Sequence, residues 1–303
     1  MNPNCPQRSC SLSAKTGPKS NQVIRYGSFY RSSDSRKIGR YLCKCCGGTF
    51  SRATLSPGVW QKRRRITHPL KLLLSSGVTK SRAAVLLRAD PKTIARRSQF
   101  LARESRKSHS KWLKSLEARP IVSVQFDDLE TFEHTKCKPL SVALVVEPDS
   151  RKIIGFQVSR MPAKGRLAKI ARKKYPKRKD RRIQGWNRLM RRLTTVIASD
   201  AEWKSDDHPF YPKLLRLNYP QATHVTVKGG RGAITGQGEL KKLVFDPIFS
   251  LNHTCAMLRA NMSRLFRRTW NTTKTLQGLV DHLSIFIGFH NEHLTPELIH
   301  QQA

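Results

Sequence analysis

Four short apolar runs constrain the fold of this chain more than any other feature: "IVSVQFDD" (121–128), "PLSVALVV" (139–146), "KIIGFQVS" (152–159) and "LTTVIASDAEW" (193–203). Each has the length of a strand. In the first, period two puts Val122, Val124 and Phe126 on one face and Ser123, Gln125 and Asp127 on the other. The second and third read as a hairpin closed by the "EPDSRK" turn. Two helical patterns follow the last run, so the C-terminal part is expected to be α/β with a mixed sheet. Two separate strand runs each deliver an aspartate near their ends, Asp127 (with Asp128 after it) and Asp200. Singly, each acid is more often a strand-terminating cap or turn residue than a ligand; together they form a candidate carboxylate pair.

Upstream, two other compositions appear. Residues 1–55 are rich in Cys, Gly and Ser, 56–112 read as helical and basic, and 113–303 hold the strand runs with a basic insert at 163–192. Five of the seven cysteines precede Phe50. Cys5 and Cys10, then Cys43 and Cys46 in "CKCC", have the two-pair spacing of a structural zinc ribbon, in which four thiolates complete a tetrahedron. The first pair is CxxxxC rather than CxxC, and Cys45 is left over. Free thiols in a loose tail are the other reading, but so few large apolar groups rarely fold without a metal.

In "GVTKSRAAVLLRADPKTIARRSQFLARES", Thr79 is a candidate N-cap for a helix through Leu87. Asp90 caps the next helix, with Pro91 at its first position. This fits a helix-turn-helix whose second helix offers Lys92, Thr93, Arg96, Arg97 and Ser98 to a DNA groove; the alternative is a plain helical hairpin with a solvated basic face.

Charge narrows the partner. Lys and Arg number 58 against 20 Asp and Glu, a net +38, which repels itself strongly without a polyanion. A membrane surface fits less well than nucleic acid: runs such as "SVALVV" and "LSIFIGF" fall far short of the roughly 20 apolar residues of a span. "MNPNCPQRSC" carries no apolar signal region either. A soluble, cytoplasmic protein, nucleoid-associated when bound to DNA, is expected. From Lys164 to Arg192 there are fourteen Lys or Arg against one acid, Asp180. That run reads as a solvated face, or, with Tyr175 and Trp186 interleaved, as a strip that tracks a nucleic-acid backbone. Trp203 and Trp270 either stack on bases or pack in the core.

The order of cysteine pairs and helix-turn-helix, followed by "QFDDLETF", "VIASDAEW" and "LNHTCAMLRANMSRLFRRTWNTTK", resembles bacterial insertion-sequence transposases with a zinc ribbon and an RNase H-like catalytic core, relatives of insertion sequence one. The resemblance covers most of the chain. It implies an enzyme that binds the terminal inverted repeats of its element on double-stranded DNA, as a homo-oligomer in the synaptic complex. Such an enzyme nicks and joins strands with Mg²⁺ or Mn²⁺. It implies Asp127 as first acid, Asp200 as second, Asn252 in the place usually held by Glu, and Arg259, seven positions on, as a phosphate clamp. On a helix of 3.6 residues per turn Asn252 and Arg259 lie nearly in line. An amide oxygen is a neutral ligand, weaker than a carboxylate; His253, Glu239 and Asp246 are the other candidates for the third position, and Asn252 also reads as a helix N-cap. Two other functions stay open: a DNA-binding regulator with a decayed nuclease core, and a protein that coats a structured RNA.

Overall fold

Between Val23 and Ser51 the chain doubles back twice. Strands β1 (Val23–Arg31), β2 (Arg36–Cys43) and β3 (Thr49–Ser51) form an antiparallel sheet in the order β1-β2-β3. Its core is small: Cys5, Cys10, Val23, Tyr41, Cys43 and Phe50, with the Tyr41 and Phe50 rings stacked at 5.8 Å. This sheet belongs to the first of two compact units, Met1–Pro69 and Leu70–Ala303. The computed structural model describes residues 3–7, 9–12, 22–32, 35–59, 61–227, 246–266 and 271–293.

Helix α1 (Thr67–Ser75) leads into the second unit, followed by α2 (Lys80–Leu86) and α3 (Pro91–Leu116). Local chemistry sets both helix starts as expected. The Thr79 side chain accepts from Arg82 N, and Asp90 accepts from Lys92 N and Thr93 N ahead of Pro91. At 26 residues α3 is far longer than a recognition helix needs. It buries Ile94, Leu101 and Ala102 on one side and runs on past residue 112, so α2 and α3 share a unit with the strands that follow.

Those strands are β4 (Ile121–Phe132), β5 (Pro139–Val146), β6 (Ile153–Arg160), β7 (Ile197–Asp206) and β8 (Thr223–Val227). They form one mixed sheet in the order β6-β5-β4-β7-β8. β4 is central, antiparallel to β5 and parallel to β7. The expected mixed α/β sheet is present, and the "EPDSRK" hairpin joins β5 to β6 antiparallel. Val122 is 69% exposed, not inward like Val124 and Phe126, because the β4–β7 register slips between Ile121 and Ser123.

The β6-to-β7 crossover contains α4 (Arg166–Lys174) and α5 (Arg182–Leu193). The second half of the basic insert is therefore structural. α5 buries Trp186, Leu189, Met190 and Leu193 at helical spacing, and a Cβ at Gly185 would collide with Ser159 Oγ of β6. With α6 (Tyr211–Asn218) it covers one face of the sheet. There Phe126 sits among Trp186, Trp203 and Tyr211 at centroid distances of 5.5, 5.3 and 4.8 Å. Trp186 and Trp203 are fully buried, so both pack in the core and neither stacks on a base. The other face is covered by α7 (Phe249–Asn261) and α8 (Leu276–His293) through Leu251, Leu258, Leu279 and Leu283. Edge strand β6 is shielded by side chains that take its outward carbonyls: His109 of α3 bonds Ile154 O at 3.0 Å and Arg192 of α5 donates to Phe156 O at 3.0 Å.

Candidate metal sites and nucleic-acid interface

Alternation along β4 assigns its two adjacent acids to opposite faces. Asp128, on the α5 side, is a structural anchor. Its carboxylate accepts from Trp186 Nε1 at 3.2 Å and from Ser141 Oγ. Burial pushes its carboxyl above the usual range, and those two donors oppose the shift.

Asp127, on the α7 side, accepts from Tyr211 Oη at 2.9 Å and from Asp128 N at 2.6 Å. Its carboxyl is pushed up to about 6, first by burial and then by the charge of Asp206. The register explains that neighbour. Gln125 pairs with Lys204 across the parallel β4–β7 ladder; two residues on, the same register sets Asp127 opposite Asp206, the last residue of β7. Burial raises the Asp206 carboxyl too, with His208 opposing.

Asp200 is not in this place. It is exposed and lies in the irregular stretch at the start of β7, beyond Glu202, which is itself four strand residues or about 13 Å from Asp206. The apolar run ends at Ala198, but the strand does not: Ala201, Trp203 and Ser205 keep turning inward until Asp206. In a parallel pair the two acids must lie toward the same strand end to meet, and Asp206 does. Its signal was readable in "EWKSDDHPF", where alternation persists to a second acid before the helix-starting "YP".

The first turn of α7 is pinned over this spot by Gln125, two residues before Asp127 on the same face. Leu251 N donates to Gln125 Oε1 at 2.9 Å, and Gln125 Nε2 donates to Pro247 O at 3.1 Å. Asn252 lies inside the helix; the N-cap position is Ile248, and Ile248 N donates to Asp246 Oδ1 at 3.0 Å. Asn252 Nδ2 donates to Asp246 Oδ2 at 2.8 Å, which leaves the amide's oxygen for another partner. Cys255, one turn on, has its thiol pushed up to about 12, by burial first and then by Asp127, with Arg259 opposing. Asp127 and Arg259 therefore both act on this one side chain, which lies between Asn252 and Arg259 along the helix. Arg259 also lines a cavity of about 130 Å³ with Leu129, Glu130, Thr131 and Phe132 of β4. His253 faces elsewhere, toward the Phe249 ring at 5.7 Å and the charge of Arg151. Glu239 and Trp270 lie outside the described residues.

In the first unit, Cys5, Cys10, Cys43 and Cys46 bring their Sγ atoms within 4.8 Å of one another. Cys5–Cys46 and Cys10–Cys43 are 3.6 and 3.7 Å apart, too far for disulfides and close to the ~3.8 Å edge of a tetrahedron with 2.3 Å zinc–sulfur bonds. Burial would push the Cys43 thiol up. The backbone amides of Cys46 and Cys45 and the neighbouring thiols outweigh burial and bring it down to about 7. Gly47, at φ +68, lets the turn close with its amide on Cys43 O at 2.9 Å. The four cysteines are compatible with a structural zinc site. Cys45 is exposed and sits against Ser11 Oγ at 3.2 Å. Among the described residues no other group of three or more Cys, His, Asp or Glu comes close enough to share a metal.

Of the candidate groove-reading residues on α3, Lys92 and Arg96 are exposed and Thr93 is partly so. Arg97 and Ser98 face inward: Arg97 is 6% exposed and Ser98 Oγ donates to Ile94 O at 2.8 Å. They follow Ile94 on the buried side, so the outward face is narrower than five consecutive polar residues suggest. No helix among the described residues is long and apolar enough to cross a membrane. Compared with protein-family models and with curated proteins, the chain matches none.

Proposed function

We propose that the chain is a metal-dependent DNA transposase with an RNase H-like core, and that Asp127 and Asp206, not Asp127 and Asp200, are its carboxylate pair. The observation that carries this reading is a pair of half-buried acids at one register position of adjacent parallel strands, the charge of Asp206 acting on Asp127, beside the helix that carries Asn252 and Arg259. A carboxyl whose proton affinity is raised by burial and by a neighbouring acid, as that of Asp127 is, gains from a divalent cation in the same place. The central position of β4, with a hairpin on one side and a parallel strand on the other, is compatible with an RNase H-like sheet.

Asp127 and Asp206 would hold Mg²⁺ or Mn²⁺, with the Asn252 amide oxygen as a neutral third donor. When bound, the ions supply an activated water or 3′-hydroxyl and stabilise the leaving oxygen. The chain's own residues set the geometry. Tyr211 and the Asp128 amide orient the Asp127 carboxylate, Asp246 holds the Asn252 amide by its nitrogen, and Arg259 is placed to clamp a backbone phosphate. The cysteine site, as a zinc ribbon, and the exposed Lys92, Thr93 and Arg96 would bind the inverted-repeat ends of double-stranded DNA, in a homo-oligomer that pairs two ends. Such a protein works in the cytoplasm, on the nucleoid.

Cleavage of DNA carrying the sequences that flank the gene, with Mg²⁺ or Mn²⁺, tests this. Asp127→Asn and Asp206→Asn abolish cleavage and spare binding, and Asp200→Asn keeps both. An inactive Asp200→Asn beside an active Asp206→Asn overturns the assignment. The second reading, a regulator with a decayed core, is favoured because, among the described residues, no third Cys, His, Asp or Glu comes close enough to share a metal with Asp127 and Asp206. Specific binding with no cleavage by the wild type would select it.

A further inference from the structure

Helix α4 is a helix that its own sequence works against. It buries none of its residues, and at nine residues it is too short to persist by propensity alone. Lys169 lies three residues from Arg166 and from Arg172 and four from Lys173, so like charges stand side by side along it. No acid lies in its first turn and no side chain caps it; the N-cap is Gly165, at φ +55. From Lys164 to Arg182 there are eleven Lys or Arg and one acid, Asp180.

The segment is nonetheless tied down at both ends, and always to the same part of the sheet. On the near side Lys164 pairs with Glu130 of β4 at 2.6 Å. On the far side Arg178 pairs with Glu133 at 3.4 Å and donates to Pro139 O at 3.2 Å. Tyr175 lies under Lys138 Nζ at 4.3 Å. Glu130 is three residues beyond Asp127 on β4, about 10 Å along the strand. The anchors thus fix α4 beside the C-terminal end of β4, on the face of Asp128, while its own cations have no ion-pair partner among the described residues: Arg166, Lys169, Arg172, Lys173 and Lys174 are all exposed.

We infer that α4 is a phosphate-tracking arm, which holds the DNA backbone along the C-terminal end of β4 as it leaves the candidate site and is itself stabilised by that contact. This rests on the DNA-processing reading above. The occupant follows from charge complementarity. The arm offers a row of cations with only Leu167 and Ile170 as larger apolar groups, which suits a polyphosphate backbone and gives a bilayer little to bury. Backbone contacts carry no base information, so the arm adds affinity equally to end-containing and unrelated DNA.

The test replaces Arg166, Lys169, Arg172 and Lys173 together by Gln in the full chain. Circular dichroism and the melting curve stay close to wild type, because no buried side chain changes. For duplex DNA, the slope of log affinity against log salt falls by roughly two to four, at about 0.9 per phosphate contact. The preference for end-containing over unrelated DNA is unchanged. In the wild type, amide exchange across 166–174 slows when DNA is added. An unchanged salt slope with no protection of these amides overturns the arm while leaving DNA binding intact. A wild type that binds no DNA in any salt removes the underlying reading and the arm with it. Protection of α4 by anionic phosphatidylserine vesicles but not by DNA overturns it in favour of a membrane.

Discussion

Replacing Asp127 by Asn should stabilise the metal-free protein, and only above a particular pH. In the folded chain the Asp127 carboxyl sits at about 6, against an ordinary 3.8. A carboxyl raised on folding favours the folded state while protonated. That advantage is complete below about 3.8 and is lost as pH rises through about 6. Two pH units at 1.36 kcal/mol each give about 3 kcal/mol, and water at the site's open side reduces this to roughly 2. Asn keeps an oxygen to accept from Tyr211 Oη and Asp128 N, so the hydrogen bonds survive and the charge does not. For a unit of this size roughly 2 kcal/mol corresponds to about 4–8 °C.

The measurement is the melting temperature of wild type and Asp127→Asn between pH 4 and pH 8 in chelator, taken as a difference so that other titrations cancel. The difference is near zero at pH 4 and grows to several degrees in favour of Asn by pH 7.5. Adding Mg²⁺ or Mn²⁺ at pH 7.5 raises the wild type by mass action and leaves the variant unmoved. Removing the second charge, Asp206→Asn, leaves the onset of the wild-type loss near 3.8 and makes the loss smaller and complete at lower pH. Parallel curves for wild type and Asp127→Asn across the range would refute the reasoning: Asp127 would then be neither buried against a second carboxylate nor placed for a cation.

Purified protein should contain one zinc per chain; Cys43→Ser or strong chelation loosens residues 22–51, read as faster amide exchange, while the second unit keeps its melting transition. Gln125→Ala leaves Leu251 N and Pro247 O without their partners. It costs about 1–3 kcal/mol and selectively speeds exchange in the first turn of α7. Cleavage falls in the same variant, since Asn252 rides on that turn.

What could be read from the sequence was local. Thr79, Asp90 and Pro91 define helix starts by short-range chemistry, and those starts came out where expected. The hairpin and the cysteine cluster follow equally from turn chemistry and spacing. What misled was reading an apolar run as the whole strand. The run before Asp200 stops because β7 dips into an irregular register there; the alternation that resumes from Ala201 is the sequence trace of the strand, and the pairing with β4 fixes where it ends. The same limit applies to the basic insert. Charge counting cannot separate α5, whose cations flank a buried stripe led by Trp186, from α4, which buries nothing. Arg97 shows the reverse case, a cation that composition assigns to the surface and packing draws inside.

The amide at position 252 has a physical rationale within the proposed site. Asp127 already carries its charge against burial and against Asp206. A third carboxylate on the facing helix would raise it further and make the metal-free core less stable near neutral pH. An amide oxygen adds a donor without adding charge, and its own nitrogen is occupied by Asp246, so the oxygen does not have to be chosen by the ion. The exchange is weaker electrostatic hold for a site that folds before it is loaded. Its consequence is specific: Asn252→Glu should tighten Mn²⁺ binding and, in chelator, lower the melting temperature at pH 7.5 more than at pH 4.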